Sequence, residues 1–389
     1  SLQEKLNSGE AIFLRGKRKN VAVGYNLLVK VNTSIGLNGI ASQSNINNET
    51  QKSRHLASLG YAPDIMMDLS IRETDPPMYQ QVADIFGGPV GTLPHYICYD
   101  PKTGIDPNKL LGTVENQAQA GVEFMTFHPT PIKDIYELAL RTRRTAVTSR
   151  GGGIVIDDML KNSREVNLIA DLFPDILAIL KQYNIAVSIG STFRPANVLD
   201  ALDEVHRLEY QYQGIFIDQA KDMGVPVLME GVGHMTLDRI PEYVEMVKQY
   251  KIPFMPLGPI TTDAAVGEDH ISNAIGAAYM AILGGAHIFN CVTREEHTGN
   301  VPTLDSIVEA LKAVRIAEHS VNIARFSQKL EPDKKVADDR AANYTCVVEG
   351  GIFAESAKRR YSMGCSRCGI ECPLLVNKRN DNIELSGLA

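Results

Sequence analysis

The sequence predicts an α/β protein: a closed, TIM-like (βα)8 barrel followed by a short C-terminal extension that carries a cluster of cysteines. Three observations lead there. Up to about residue 325, short apolar strand-like runs alternate with longer segments of helical spacing, the pattern of a parallel sheet buried on both faces. Eight or nine such units share roughly 300 residues, which suits a closed barrel better than an open sheet. Nearly every run also stops in polar or ionisable side chains, and the C-terminal strand ends of a barrel meet at a single mouth.

Residues 1–26 precede the first run and read as an N-terminal extension, with the barrel expected over 27–326. The runs are LLVKVN (27–32), DIMMDLS (64–70), VGTLPHY (90–96), EFMTFHP (123–129), TAVTSRG (145–151), IAVSIGS (185–191), PVLMEGV (226–232), PFMPLGP (253–259) and HIFNCVT (287–293). They lead into Asn32, Asp68, Tyr96, His128, Ser149 with Arg150, Arg194, Glu230 with His234, and His297. One polar residue after a strand is usually a cap or a loop residue. So many strand ends behaving alike point to a shared active site. Nine candidates compete for eight places, and the sequence does not say which lies outside the barrel. In the last helical segment Leu304, Ile307, Val308, Leu311 and Val314 fall on one face, with Thr303 placed to cap it. The C-terminal extension is expected over 327–389. Its first part, 327–345, is charged with little apolar periodicity and reads as a linker or irregular extension.

Composition narrows the function classes. The chain of 389 residues is 44% hydrophobic and 22% charged, ample material for a large core. Its 39 basic and 46 acidic residues leave a net charge of −7, which argues against a general nucleic-acid or anionic-membrane surface. Two local basic runs, Arg15, Lys17, Arg18 and Lys19, and Arg141, Arg143 and Arg144, read as solvated faces. No stretch approaches the roughly 18 apolar residues of a membrane span. A soluble, cytoplasmic protein is expected. The chain opens at Ser1 in place of Met, which leaves room for an upstream piece.

Six cysteines in so long a chain do not make a disulfide scaffold. Cys98, Cys291 and Cys346 are scattered and suit small buried thiols. Cys365, Cys368 and Cys372 are packed together near the end. Three thiolates in one loop can hold three corners of an iron–sulfur cube and leave the fourth iron open. A zinc knuckle is the other reading, but no fourth cysteine lies nearby and no histidine follows His319. His234 and His297 each follow a predicted strand, and two imidazoles with open positions suit a zinc, iron or cobalt ion. Each could equally be a lone hydrogen-bonding histidine. His128 is as plausible a substrate contact, whereas His270 looks like a loop or helix-start residue. In TSRGGG (148–153), Arg150 could bridge two phosphate oxygens while the glycines let backbone N–H groups approach. An ordinary glycine-rich turn would read the same way.

These segments together, from about residue 22 to 372, resemble one family of radical S-adenosylmethionine enzymes, the thiamin pyrimidine synthase family. The carrying motifs are LVKVNTSIG, MMDLS, VGTLPHY, FMTFHP, SRGG, SIGSTFRP, MEGVGH, PLGPITTDAAVGEDHI, IGAAYMAILGGA, CVTREEHTG and the terminal cysteines. The resemblance implies a (βα)8 barrel with a C-terminal [4Fe-4S] element exchanged between the protomers of a homodimer. It implies that Cys365, Cys368 and Cys372 hold the cluster and that its open iron binds S-adenosylmethionine. An electron donor such as flavodoxin or ferredoxin would be required. His234 and His297 would bind a further divalent metal, zinc, iron or cobalt. The implied substrate is aminoimidazole ribotide, contacted by Ser34, Met67, Tyr96, His128, Ser149, Arg150, Gly151, Arg194 and Glu230.

The family has a phosphomethylpyrimidine synthase branch, serving thiamin, and a 5-hydroxybenzimidazole synthase branch, serving anaerobic cobalamin formation. Thiamin-type members usually read NANIG, GDGLRPG and FYTLGP, with CxxCxxxxC. Here Ser34 stands for an Asn, Ser191 for an Asp and Met255 for a Tyr, and the cysteines are spaced CxxCxxxC. Losing an acid and a phenol removes groups that could steer protons. The expectation is therefore the benzimidazole branch, with Glu230, Arg194, Ser191 and Met255 shaping the reaction and the pyrimidine branch as the alternative. Outside the family, the rivals are a two-histidine metallohydrolase with a zinc staple and a non-catalytic binding module.

Overall fold

The computed structural model describes residues 1–346, 351–353 and 367–376. They form two compact units, Ser1–Ser58 with Pro63–Val321, and Leu59–Ala62 with the described residues from Asn322 onward.

The first unit is the expected barrel. Its eight parallel strands are β1 (Lys30–Ile35), β2 (Ile65–Asp68), β3 (Val90–Thr92), β4 (Phe124–Phe127), β5 (Ala186–Ile189), β6 (Val227–His234), β7 (Phe254–Ile260) and β8 (Ile288–Asn290). The ladder runs β7-β6-β5-β4-β3-β2-β1-β8, every neighbouring pair parallel. β2, β4 and β5 are buried at every position, as a sheet covered on both faces requires. β7 and β8 approach across the remaining seam without a continuous ladder. Pro256 and Pro259 in β7 have no N–H to offer, so side chains complete the closure. Phe254 N–H donates to His287 Nδ1 at 3.0 Å, and His287 N–H donates to the Phe254 carbonyl at 2.9 Å. The Asn290 amide donates to the Pro256 carbonyl at 2.8 Å while its carbonyl accepts from Asn32 at 2.7 Å.

The ninth candidate run, 145–151, is the one outside the barrel. β4 pairs directly with β5, so no edge is open to it. Its residues lead instead into the helix Arg150–Lys161, where the Ser149 hydroxyl accepts from Gly152 N–H at 3.2 Å. At the opposite end of the barrel lies the hairpin Ala11–Arg15 and Asn20–Gly24, paired antiparallel. Ile12, Leu14, Val21 and Val23 join Ile65, Phe124, Ala186, Leu228 and Ile288 in one buried cluster. Those partners sit at or next to the first residues of their strands, so the hairpin floors the barrel.

Thr303 caps the helix Leu304–Arg325 as expected, its hydroxyl accepting from Ser306 N–H at 3.2 Å, and Ile307, Leu311 and Val314 are buried. The charged segment 327–345 departs from the linker expectation. After a turn at Ser327–Leu330 it forms the helix Glu331–Asn343, with Pro332 and two acids in its first turn and Arg340 in its last. None of its residues is buried, so no apolar stripe marks it in the sequence.

Candidate active site

One large cavity of about 500 Å³ opens at the C-terminal ends of the strands. Ser34, Met67, Tyr96, His128, Ser149, Arg150, Arg194, Glu230 and Met255 all line it. Eight segments distant in sequence therefore reach one chamber. Gly151 and Ser191 are not among its lining residues.

Helix Arg150–Lys161 aims its first turn at the cavity, which makes this end attractive to an anion. The Arg150 guanidinium donates to Asn38 Oδ1 at 2.6 Å and lies 5.9 Å from the centre of the Tyr96 ring. Ser149 bridges the helix and His128, its hydroxyl 3.1 Å from Nε2. The glycines have a packing reason beyond anion approach. A Cβ at Gly151 would stand 2.4 Å from the His128 ring, one at Gly190 2.8 Å, and one at Gly152 2.3 Å from Thr192. Burial, with His95 and Arg194 adding to it, holds His128 well below the ordinary histidine range, so its imidazole is neutral. Burial likewise pushes the Tyr96 phenol up to about 12.

At the other polar wall, Glu230 Oε1 accepts from Thr126 at 2.7 Å and Ser188 at 2.8 Å. Burial raises its pKa, opposed by those two hydroxyls and by Arg194. Both donors serve Oε1. Among the described residues Arg194 makes no ion pair, and its Nε is buried without a hydrogen-bond partner. Ser191, expected at the substrate, instead donates to Glu209 Oε2 at 2.6 Å. Glu209 also accepts from Thr130 at 2.8 Å, from Phe193 N–H at 2.8 Å and from Thr192 N–H. Arg143 is a correction to the solvated-face expectation, because its side chain is fully buried. Following the helix Lys133–Thr142, it turns inward to form a bidentate pair with Asp203, both contacts 2.7 Å, and donates to the Phe193 carbonyl at 2.6 Å. Arg141 and Arg144 are exposed as expected.

Met67 and Met255, both buried, give the chamber an apolar wall, and Ser34 adds a hydroxyl. Sequence reading missed three contributors. Lys52 and Glu49 form a buried pair at 2.6 Å, and Lys52 also donates to the Pro302 carbonyl at 2.8 Å. Glu209 is the third. Glu49 and Lys52 lie on the helix Gln43–Ser58, and Glu209 on Glu204–Asp222, where their spacing signals a helix face and nothing more.

His234 and His297 come together, ring centres 4.8 Å apart. β6 carries His234 past an irregular step at Val232–His234, where Val232 has φ 64° and Gly233 φ 93°. His234 Nδ1 bonds Asp263 Oδ1 at 2.6 Å, and His297 Nδ1 bonds Asp269 Oδ1 at 2.7 Å. Each carboxylate fixes its ring and leaves Nε2 open, the arrangement that orients histidine ligands at metal sites. Among the described residues no set of three His, Cys, Asp or Glu donors forms, so two imidazoles would be completed by water or a bound molecule. His270 is buried at the start of the helix Asp269–Ile282, as the sequence suggested.

Cys365 lies outside the described residues. Cys368 and Cys372 bracket a single turn, Gly369–Glu371, in which Glu371 N–H donates to the Cys368 carbonyl at 3.1 Å. Two soft sulfur donors on one tight turn fit an iron–sulfur centre. Among the described residues, no helix is long and apolar enough to cross a membrane.

Comparison with known proteins identifies a family. The Radical SAM ThiC family matches residues 1–379. Phosphomethylpyrimidine synthase of Carboxydothermus hydrogenoformans is 32% identical over 92% of this chain and 86% of its own. The namesake from Ignicoccus hospitalis is 31% identical over 95% and 89%. The 5-hydroxybenzimidazole synthase BzaA of Eubacterium limosum is 32% identical over 96% and 91%. With a family match across nearly the whole sequence and a barrel whose mouth gathers the residues its motifs carry, the chain belongs to the Radical SAM ThiC family.

Proposed function

We propose that this enzyme converts aminoimidazole ribotide to 5-hydroxybenzimidazole, the lower ligand of cobalamin. The observation that carries the reading is the single cavity in which an arginine-tipped helix N-terminus, Arg194 and Glu230 share one chamber with Ser34 and Met255. Membership in a radical SAM family implies a [4Fe-4S] cluster and S-adenosylmethionine, whose reductive cleavage supplies a 5′-deoxyadenosyl radical. Cys368 and Cys372, with Cys365, would hold the cluster, and His234 with His297 a divalent metal.

The chain's own residues divide the remaining work. Arg150, at the positive end of its helix, takes the phosphate. Arg194, without an ion-pair partner among the described residues, holds polar groups of the ribotide. Glu230, its proton affinity raised by burial, holds or exchanges a proton at Oε2 while Thr126 and Ser188 fix Oε1. The neutral His128 and Tyr96 offer hydrogen bonds without adding charge. Met67, Leu93 and Met255 keep water from the reacting carbons. An exchanged cluster element in a homodimer, a flavodoxin- or ferredoxin-like electron donor and a cytoplasmic location complete the proposal.

The pyrimidine branch is the second reading. It takes the same substrate, and relatives carrying that name are as similar as the benzimidazole enzyme. Ser34 and Met255 in the cavity wall support the first reading, because they change polar contacts where thiamin-type members resemble one another. The metallohydrolase and binding-module rivals are not favoured by membership in a radical family. The deciding experiment incubates anaerobically reconstituted protein with the ribotide, S-adenosylmethionine and a reductant, and identifies products by mass spectrometry. Hydroxybenzimidazole is expected. Hydroxymethylpyrimidine phosphate would replace this reading with the second, and deoxyadenosine with neither product would overturn both substrate assignments.

A further inference from the structure

Arg194 poses a positioning problem. A guanidinium on a long flexible stem loses much rotamer freedom when fixed. Among the described residues no carboxylate forms an ion pair with it, Glu230 feeling its charge without a direct contact, and its Nε is buried without a hydrogen bond. Something other than a side-chain partner must aim it into the cavity.

The backbone leading into it supplies the answer. Residues 191–193 are gripped on both sides. Glu209, fully buried on the helix Glu204–Asp222, accepts from the Ser191 hydroxyl, from the N–H groups of Thr192 and Phe193, and from Thr130 on the loop after β4. Arg143 takes the carbonyl of Phe193 and is itself clamped by Asp203, the cap of that same helix. Four donors converge on two carboxylate oxygens, and none of them is a charged group. Phe193 is fully buried in the cluster beneath, with Val205 of the same helix. One helix thus carries both carboxylates that hold the loop, one directly and one through Arg143.

We propose that Glu209 is the positioning residue of the active site, fixing the 191–193 backbone so that Arg194 stands in the cavity before substrate arrives. The assignment rests on the substrate reading above only for the identity of what Arg194 meets. Ser191 is then a buttress of the clamp, acting on the reaction through Glu209. A carboxylate placed at 191 would face the Glu209 carboxylate in a buried site, so Ser191→Asp is expected to disturb the loop instead of adding a proton donor to the cavity.

The test compares reconstituted full-length enzyme with Glu209→Gln and Glu209→Asp. An amide in place of the carboxylate turns one acceptor into a donor facing donors, whereas Asp keeps the charge with a shorter reach. Glu209→Gln is expected to raise KM for the ribotide about 10- to 100-fold, the effect of misaiming a binding group by about 1 Å. Cluster content and substrate-independent cleavage of S-adenosylmethionine should stay unchanged, and Glu209→Asp should recover part of the loss. Hydrogen exchange at the Thr192 and Phe193 amides reads the clamp without any substrate, and protection there should fall in Glu209→Gln. Should Glu209→Gln fail to fold, the same readouts on Glu209→Asp and Ser191→Ala decide, each expected to weaken protection at 192 and 193 less severely. Unchanged protection and unchanged KM in a folded variant overturn the proposal. A parent enzyme indifferent to the ribotide would overturn the substrate reading alone, leaving the exchange data to judge the clamp.

Discussion

Asp68 ends β2 as a buried residue. Burial lifts its pKa to about 6 despite two hydrogen bonds from Ser70, and the charge of Glu49 adds to the rise. The folded chain binds this proton more tightly than the unfolded chain does. Its contribution to stability is therefore fully present below 3.8, the ordinary value, and lost as pH rises through 6. Asp68→Asn, which still accepts from Ser70, should remove on the order of 3 kcal/mol of that pH dependence. Melting temperatures between pH 4 and 6 check it: the variant should gain stability relative to the parent as pH rises, and parallel profiles would refute the assignment. Single residues were unevenly legible in the sequence. The strand-end residues Tyr96, His128, Arg150, Arg194 and Glu230 announced themselves because each follows an apolar run. Ser191 does too, yet its hydroxyl turns to Glu209, because rotamer direction is a property of the packed loop. Arg143 looked solvated beside Arg141 and Arg144, since a run of charges does not reveal which one the chain turns inward.

From the end of β7 to the first residue of the helix Asp269–Ile282, one short stretch supplies both Asp263 and Asp269, the partners of His234 and His297. A single connecting element therefore aims two imidazoles that come from different strand ends. Asp263→Asn or Asp269→Asn should each lower metal affinity about 10- to 100-fold. Chelator competition on protein loaded with one divalent metal measures it, and equal affinity in either variant would show that its carboxylate does not orient a ligand. The histidines were readable from their positions after MEGVG and TREE. Their carboxylates were not, because PITTDAAVGEDHI offers several acids and only the folded loop selects two. The extended β6 adds its own device. Val232, β-branched, holds a left-handed backbone beside the step that lifts His234, a conformation tolerated where surrounding packing enforces it. The ninth strand-like run misled for a related reason: Thr145, Val147 and Thr148 are β-branched, as strands favour, and only the absence of an open sheet edge excludes it.

At the scale of the whole barrel, closure depends on the seam between β7 and β8, where Asn290 joins Pro256 on one side and Asn32 on the other. Asn290→Ala removes both bonds and leaves buried partners unsatisfied, at a cost of about 1–3 kcal/mol. Urea unfolding should show that loss; an unchanged midpoint would mean that backbone contacts alone close the ring. The architecture itself was legible because alternating strand and helix patterns with polar strand ends admit few alternatives. The hairpin floor was not, since Ile12, Leu14, Val21 and Val23 need only an apolar face and the sequence cannot say which surface will cover it. The seam also orders events during synthesis. Asn32 meets Asn290 across 258 residues of chain, so the ring must stay open until its eighth strand leaves the ribosome. Until then β1 and β7 are bare sheet edges, and whatever shields them in that interval governs the yield of folded enzyme.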